Sequence, residues 1–219
     1  MPEALNELDR TMMARCIALA RASVRQGELP FAALVCQDGV VVAEAANRVA
    51  QEGDVTRHAE LLAVSEAQRR LQSKRLKGCT LYSVVEPCAM CAFPIRETGI
   101  SRVVFAIQSP VMGGLTRWNV LGDPRLARTM PVFFSPPPAL SGGVLAQEAE
   151  EAWRAWNPVL WRLIKRRGCF AVEGDRSHGP GSCDPNTRNR KNVVGAVARG
   201  CAKAVSTLRS WARLSSDLG

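Results

Sequence analysis

Two short segments of the chain carry side chains that could bind a metal ion. His58 lies in the first, and Cys88 and Cys91 lie three residues apart in the second. One imidazole and two thiolates are ligands that zinc prefers, and three protein ligands leave the fourth tetrahedral position open for water. Zinc lowers the pKa of a bound water to about 7, so that hydroxide becomes available at neutral pH. The pattern predicts a catalytic zinc site formed by His58, Cys88 and Cys91.

Glu60 supplies the acid–base group that such a site needs. A carboxylate beside the activated water, but not bound to the metal, can accept a proton and deliver it to the substrate. His58 and Glu60 are two residues apart and would diverge along a regular helix. They can reach one site only at the start of a helix, and the helical pattern begins at this point. We therefore expect Glu60 to be the catalytic residue.

A purely structural zinc site is the alternative interpretation, and it would need a fourth protein ligand. Cys79 is the nearest candidate, but it lies at the far end of the preceding predicted strand. His178 lies in a segment rich in Gly, Pro and Ser. Cys16 and Cys36 lie in a helical and a strand-like pattern, where cysteine is usually a small buried hydrophobic residue. The residue pattern favours the catalytic site.

The rest of residues 1–167 predicts a sheet covered by helices. Residues 31–36 and 40–46 flank an Asp-Gly turn and form a hairpin signal. Thr56 is a reasonable N-cap for the helix that follows, and Pro87 is well placed to begin another. Helices are predicted at 5–26, 57–72, from Pro87 and at 144–167 with a break at Asn157-Pro158, and strands at 31–36, 40–46, 79–85 and 102–107. This order indicates an α/β fold with antiparallel and parallel strand pairs.

The composition changes after residue 167. Residues 177–192 are rich in Gly, Pro, Ser, Asn and Asp, and residues 193–214 could form a weak basic helix. We therefore predict a zinc-dependent catalytic domain at 1–167 and a basic, poorly ordered C-terminal tail at 168–219.

Bulk composition bounds the partners. The chain has 219 residues and a formal net charge of +9, which is compatible with nucleic acid or an anionic substrate. No apolar run is long enough to cross a membrane, and no signal peptide is recognisable. We expect a cytoplasmic protein without a membrane partner.

These residues resemble the cytidine-deaminase-like superfamily, and most closely its branch of tRNA adenosine, guanine and cytosine deaminases. An H-x-E segment followed by P-C-x-x-C is typical of zinc nucleobase deaminases. The resemblance covers about residues 8–110 and rests on these motifs: Leu29-Pro30-Phe31-Ala32-Ala33, Asn47, Asp54-Val55-Thr56, His58-Ala59-Glu60, Glu86-Pro87-Cys88-Ala89-Met90-Cys91 and Ile100-Ser101-Arg102-Val103-Val104-Phe105.

The resemblance implies a fold, an assembly and a substrate pocket. The fold would be a three-layer α/β/α sandwich around a five-stranded mixed sheet, and the protein would be a homodimer or a larger assembly. Asn47 would hydrogen-bond the substrate, Phe31 would line the pocket, and the backbone around Ala59 and Glu86 would contact the base.

Two segments depart from the pattern of the family near the expected pocket. Pro94 lies within the helix after Cys91, where it removes a backbone hydrogen bond and should kink the helix. Residues 112–121 (MGGLTRWNVL) differ from the usual loop of the tRNA enzymes. Both departures concern the identity of the substrate rather than the chemistry.

Three functions follow in order of preference. The first is zinc-dependent hydrolytic deamination of an aminated nucleobase or nucleoside, with release of ammonia. The alternative is the same chemistry on adenosine in a tRNA anticodon loop, which gives inosine. The non-enzyme alternative is a zinc-stabilised scaffold or inactive paralogue, which the presence of Glu60 disfavours.

Overall fold

The computed structural model describes residues 7–172, so most of the predicted tail, including the possible helix at 193–214, lies outside the described residues. The helices and strands, in chain order, are α1 (Glu7–Val24), β1 (Ala32–Gln37), β2 (Val40–Ala46), α2 (Val49–Glu52), α3 (Ala59–Arg70), β3 (Cys79–Val85), α4 (Ala89–Thr98), β4 (Arg102–Ile107), α5 (Pro124–Thr129), β5 (Ala139–Ser141), α6 (Ala146–Trp156) and α7 (Pro158–Arg166).

The strands form one mixed sheet in the order β2-β1-β3-β4-β5. Strand β1 is antiparallel to β2 and to β3, whereas β3, β4 and β5 are parallel. The hairpin between β1 and β2 turns at Asp38 and Gly39, which both have positive φ angles, of 49° and 79°. An Asp-Gly pair tolerates this conformation best, so the predicted turn is confirmed.

Helices cover both faces of the sheet. Alternate side chains of β1 point to opposite faces, with Leu34 in one buried cluster and Val35 in the other. Helices α1, α6 and α7 pack on the first face, and α3 and α4 pack on the second. The predicted three-layer α/β/α sandwich with a five-stranded mixed sheet is confirmed.

A buried ionic contact fixes α1 to the sheet. Asp9 is buried and accepts hydrogen bonds from the Tyr82 hydroxyl at 2.8 Å and from the Arg102 guanidinium at 2.6 and 2.7 Å. Burial raises the pKa of Asp9, but the hydrogen bonds from Arg102 and Tyr82 outweigh it and hold the pKa below its ordinary value. This contact joins α1 to β3 and β4.

Two predicted helix starts are wrong by one turn or less. Helix α3 begins at Ala59 with His58 as its N-cap residue, because both the backbone N–H and the hydroxyl of Thr56 bind Asp54 Oδ1 in a preceding turn. Helix α4 begins at Ala89 with Cys88 as its N-cap residue, so the proline at 87 precedes the cap instead of starting the helix. In both cases the N-cap position is occupied by a predicted metal ligand.

The core continues past residue 167. Phe170 and Val172 are buried, and Ala171 exchanges two backbone hydrogen bonds with Gln108 beside β4. The rings of Trp153 and Trp161 stack at 5.5 Å, and Phe170 packs against both. Trp153 and Trp161 therefore pack within the core together with the residues that follow α7.

Within residues 7–172, no helix combines the length and the apolar character needed to span a bilayer.

Candidate active site

The predicted site residues meet at one edge of the sheet. Because β1 is antiparallel to β2 and β3, its start lies beside the ends of those two strands, as the pairs Ala32–Ala46 and Ala33–Ser83 show. Phe31 precedes β1, Asn47 follows β2, and Glu86 follows β3. Helices α3 and α4 both begin at this edge, so their N-termini converge on the same point.

His58, Cys88 and Cys91 form a nearly equilateral triangle of metal-ligating atoms. The Sγ atoms of Cys88 and Cys91 are 3.6 Å apart, and His58 Nδ1 lies 3.6 Å from the first and 3.5 Å from the second. Cys91 is buried, whereas His58 and Cys88 are partly exposed. Among the described residues, these three form the one group of His, Cys, Asp and Glu side chains placed to hold a metal.

The dimensions of the triangle fit zinc. Zinc bonds of about 2.3 Å to sulfur and about 2.05 Å to nitrogen, at tetrahedral angles, require about 3.8 Å between two sulfurs and about 3.6 Å between sulfur and nitrogen. The measured edges agree with these values to about 0.2 Å. Three ligands at these spacings leave one tetrahedral position for water or substrate.

The pKa values of the two thiols move in opposite directions. Hydrogen bonding with Cys91, followed by hydrogen bonding with His58, lowers the pKa of Cys88 to about 4 despite its partial burial. The pKa of Cys91 rises because its proton is held by Cys88 and because the thiol is buried near Glu60. The bond to Cys88 also raises the pKa of His58. A metal ion binds both sulfurs as thiolates, so metal binding releases any proton that remains on the pair.

Glu60 lies beside the triangle in the first turn of α3. Its side chain is buried, with Oε2 3.6 Å from Cys91 Sγ and Oε1 3.2 Å from the Ser83 hydroxyl. Burial raises the pKa of Glu60, and the nearby Cys88 thiolate adds to the rise. A carboxyl group with a raised pKa exchanges a proton more readily near neutral pH.

Asn47 is held on the other side of His58. The backbone N–H of Arg48 donates to the Arg57 carbonyl at 3.0 Å. Asn47 and His58 adjoin these two residues in the chain, so this hydrogen bond brings them near each other. The Asn47 side chain is buried, and its Nδ2 donates to Glu28 Oε2 at 2.7 Å. Glu28 was not predicted, although this glutamate directly precedes the Leu-Pro-Phe motif in the sequence.

The other two residues expected at the pocket differ in what they expose. Phe31 is partly buried, and its ring packs edge-on against Trp153 at 4.9 Å. Ala59 is buried at the first position of α3.

Glu86 anchors the loop that follows β4. Its buried carboxylate accepts backbone N–H bonds from Ser109, Leu115 and Thr116 at 2.8–2.9 Å, and the Thr116 hydroxyl also donates to it. Its own backbone N–H donates to Ile107, which leaves the carbonyl as the backbone group that could contact a base.

Gly113 passes close to this carboxylate. A Cβ atom at Gly113 would lie 2.1 Å from Glu86 Oε1, so only glycine fits. The glycine also forms a bridge with Cys88. The loop after β4 is therefore attached directly to the metal-ligating corner, which consists of His58, Glu60, Cys88 and Cys91.

Arg96 holds the second half of the same loop. Its guanidinium is buried and donates to the carbonyl oxygens of Val120, Asp123 and Ser135 at 2.6–3.0 Å. Neither Arg96 nor the side-chain role of Glu86 was predicted, because both bind main-chain atoms far away in the sequence.

Known proteins resemble the chain over this whole region. Residues 6–107 match the family of the cytidine and deoxycytidylate deaminase zinc-binding region. The tRNA-specific adenosine deaminase of Aquifex aeolicus is 38% identical over 108 residues, which cover 49% of this chain and 72% of that protein.

Solved structures agree. A structure from work on A-to-I editing by tRNA:A34 deaminases has 29% identity and a TM-score of 0.58, covering 65% of this chain and 98% of that one. A guanine deaminase from Nitrosomonas europaea has 25% identity and a TM-score of 0.54, covering 68% and 84%. The predicted zinc cofactor and deaminase activity are confirmed. The protein is a zinc-dependent hydrolytic deaminase of an aminated nucleobase or nucleoside, and the chain belongs to the cytidine-deaminase-like superfamily.

Proposed function

We propose that His58, Cys88 and Cys91 hold the zinc ion and that Glu60 moves the protons of the deamination. The observation that carries this proposal is the triangle with edges of 3.5–3.6 Å and the Glu60 carboxyl oxygen 3.6 Å from one of its corners. A zinc ion held by these three residues would supply a water activated for attack at neutral pH.

Glu60 then accounts for both proton transfers. It takes a proton from the attacking water and delivers it to the ring nitrogen beside the amino-bearing carbon. It next delivers the second proton of the water to the departing amino group, which leaves as ammonia. One water is consumed, and the amino group is replaced by a carbonyl. Burial of Glu60 supports this role because it raises the pKa of the carboxyl group above its ordinary value, which favours proton exchange.

We further propose that the substrate is an adenosine displayed in a tRNA loop. Similarity to tRNA-specific adenosine deaminases supports this substrate. The loop after β4, which Glu86 and Arg96 hold in place, also carries Trp118. This side chain is 58% exposed, and the Arg117 guanidinium lies 5.5 Å from its ring centre. Exposed aromatic rings and arginine planes stack on the splayed bases of single-stranded RNA. The Trp118 backbone N–H donates to Gly113, which in turn bridges Cys88.

A free base such as guanine is the second candidate substrate. Similarity to the guanine deaminase from Nitrosomonas europaea supports it, as does the loop at 112–121, which departs from that of the tRNA enzymes. In a free-base enzyme the same loop would close over a small ligand instead of contacting RNA.

A substrate screen separates the two candidates. Ammonia release would be measured for an RNA stem-loop with adenosine at the wobble position, the same RNA with guanosine there, and free adenosine, adenine, guanine and cytosine. We expect the adenosine stem-loop to have the highest kcat/KM, with RNA affinity falling as salt increases. Faster turnover of free guanine than of the stem-loop would contradict the RNA proposal and support the second candidate.

We also propose a homodimer, as the resemblance implies. Met90 and Phe93 on α4 are large apolar side chains with 38% and 45% exposure, which favours a covered face. Light scattering on the purified chain would give the mass, and a monomeric mass would contradict the assembly.

A further inference from the structure

Glu28 and Asn47 form a buried hydrogen-bonded pair near the metal-ligating corner. Glu28 has 1% and Asn47 has 5% of its surface exposed. Both carboxylate oxygens of Glu28 are used, because Oε2 accepts from Asn47 Nδ2 at 2.7 Å and Oε1 accepts from the backbone N–H of Gln51 at 2.8 Å. Within residues 7–172, no hydrogen bond reaches Asn47 Oδ1.

The chemistry of this pair fixes which way the amide faces. An ionised carboxylate only accepts hydrogen bonds, whereas an amide has one donating and one accepting end. Facing Glu28, Asn47 must therefore turn its NH₂ group inward and its carbonyl oxygen away. The shape of the Asn47 side chain alone would allow either orientation of its amide group. The hydrogen bond to Glu28 selects one of the two.

We propose that Glu28 is a positioning residue that makes Asn47 present a hydrogen-bond acceptor to the substrate. The substrate would then carry a donor, an N–H or O–H group, where it meets Asn47 Oδ1. A substrate with an acceptor at that point would leave two buried acceptors facing each other, which is costly. This inference rests on the proposed deaminase function and on the substrate-binding role that the resemblance implies for Asn47.

Glu28→Gln is the variant that tests orientation without changing shape. Its Oε1 can still accept from Gln51, but the new NH₂ group replaces the acceptor that faced Asn47. Asn47 must then rotate its amide, which presents NH₂ to the substrate in place of the carbonyl oxygen. We expect KM to rise about ten- to a hundredfold, the usual effect of a mispaired buried hydrogen bond, with kcat changed far less.

A double-mutant cycle separates this role from a structural one. Asn47→Ala, Glu28→Gln and the double variant would be compared as full-length zinc-loaded enzymes, with the adenosine stem-loop and free guanine as substrates. Because Glu28 acts through Asn47, we expect Glu28→Gln to have less than about a twofold effect on KM when residue 47 is alanine. Glu44→Gln is the matched control, since Glu44 binds Arg15 and does not contact Asn47.

The exchanged pair covers the case in which Glu28→Gln folds poorly. Combining Glu28→Gln with Asn47→Asp restores a donor–acceptor bond and again turns an acceptor oxygen of residue 47 to the substrate, so both the urea midpoint and KM should recover toward the wild-type values. Recovery of the urea midpoint while KM stays at the value of Glu28→Gln would show that the acceptor at residue 47 does not set KM, and it would overturn the inference. An unchanged KM in Glu28→Gln would also overturn it.

The same data distinguish failure of the proposed function. If Asn47→Ala leaves KM unchanged for both substrates, Asn47 does not bind substrate, and both the proposed pocket and this inference are wrong. If Asn47→Ala raises KM but the cycle shows no coupling, only the role of Glu28 is wrong.

Discussion

Two buried glutamates flank the cysteine pair, and their surroundings differ sharply. Glu86 lies in the anchored loop region and accepts three backbone N–H bonds and a hydroxyl. Glu60 lies in the metal-ligating corner, with the Ser83 hydroxyl at 3.2 Å and the Cys91 thiol at 3.6 Å as its side-chain neighbours. The two carboxylates have similar burial but very different hydrogen bonding.

The difference shows which carboxylate is free to react. A proton on Glu86 would compete with several donors that already occupy its oxygens, so this group is suited to hold a loop in place. Glu60 has long contacts and a pKa raised by burial, so gaining and losing a proton disturbs few bonds. Changes at the metal-ligating corner should therefore affect catalysis, whereas changes in the loop after β4 should affect substrate binding and stability.

Cys88→Ser should have the largest effect. A serine hydroxyl is a poor zinc ligand at neutral pH, so we expect the bound metal to fall from about one zinc per chain to near zero and deamination to be lost. Metal content would be measured by atomic emission on the purified protein. Cys169→Ser changes a cysteine outside the cluster and should keep its zinc; retention of metal in Cys88→Ser would refute the proposed ligands.

Glu60→Gln should keep zinc and lose activity. The amide has the same shape but cannot carry the proton, so we expect ammonia release to fall by about 10²–10⁴-fold. Glu86→Gln is the matched variant in the loop, and it should lose stability while retaining much more of the rate. Equal loss of rate in both variants would break the comparison between the two glutamates.

Trp118→Ala should weaken RNA binding without changing the metal site. Loss of one stacked base costs about 1–3 kcal/mol, so we expect Kd for the adenosine stem-loop to rise about 5- to 150-fold. Fluorescence anisotropy would measure the affinity, and Trp118→Phe should keep most of it. If Trp118→Ala binds the stem-loop normally, the exposed ring does not contact RNA.

Gly113→Ala should reduce stability. The added methyl would collide with Glu86 Oε1 and with the Ser109 carbonyl oxygen, at 2.1 and 2.6 Å from the ideal Cβ position. We expect the free energy of unfolding to fall by about 1–3 kcal/mol in urea titrations. Gly168→Ala is the comparison, because a Cβ there meets no atom within 4 Å and costs only backbone strain. A smaller loss at Gly113 than at Gly168 would show that the loop yields easily.

The sequence predicts the corner better than the loop. His58, Glu60, Cys88 and Cys91 are found from local spacing, because each helix start brings its own residues together. Strand β5 has only three residues and no usable periodicity. Helix α5 has an Asp123-Pro124 start of the same kind as the Asn157-Pro158 break that was recognised, so that signal was present and not used.

The missed residues share a physical reason. Arg96 and Glu28 act on groups more than fifteen residues away in the chain, and no local pattern encodes such partners. Their burial is the feature that marks them, and burial of a charged side chain becomes visible only once the fold is known.

Arg96 and Glu86 bind the loop after β4 mainly through hydrogen bonds to its backbone groups. Substitution of side chains between these attachment points would therefore leave the hydrogen bonds intact, provided that the glycine at 113 is kept. If the exposed side chains of this loop contact the substrate, as proposed, they could change during evolution without disturbing the residues that remove the amino group. Exchange of this segment between relatives would test that consequence directly.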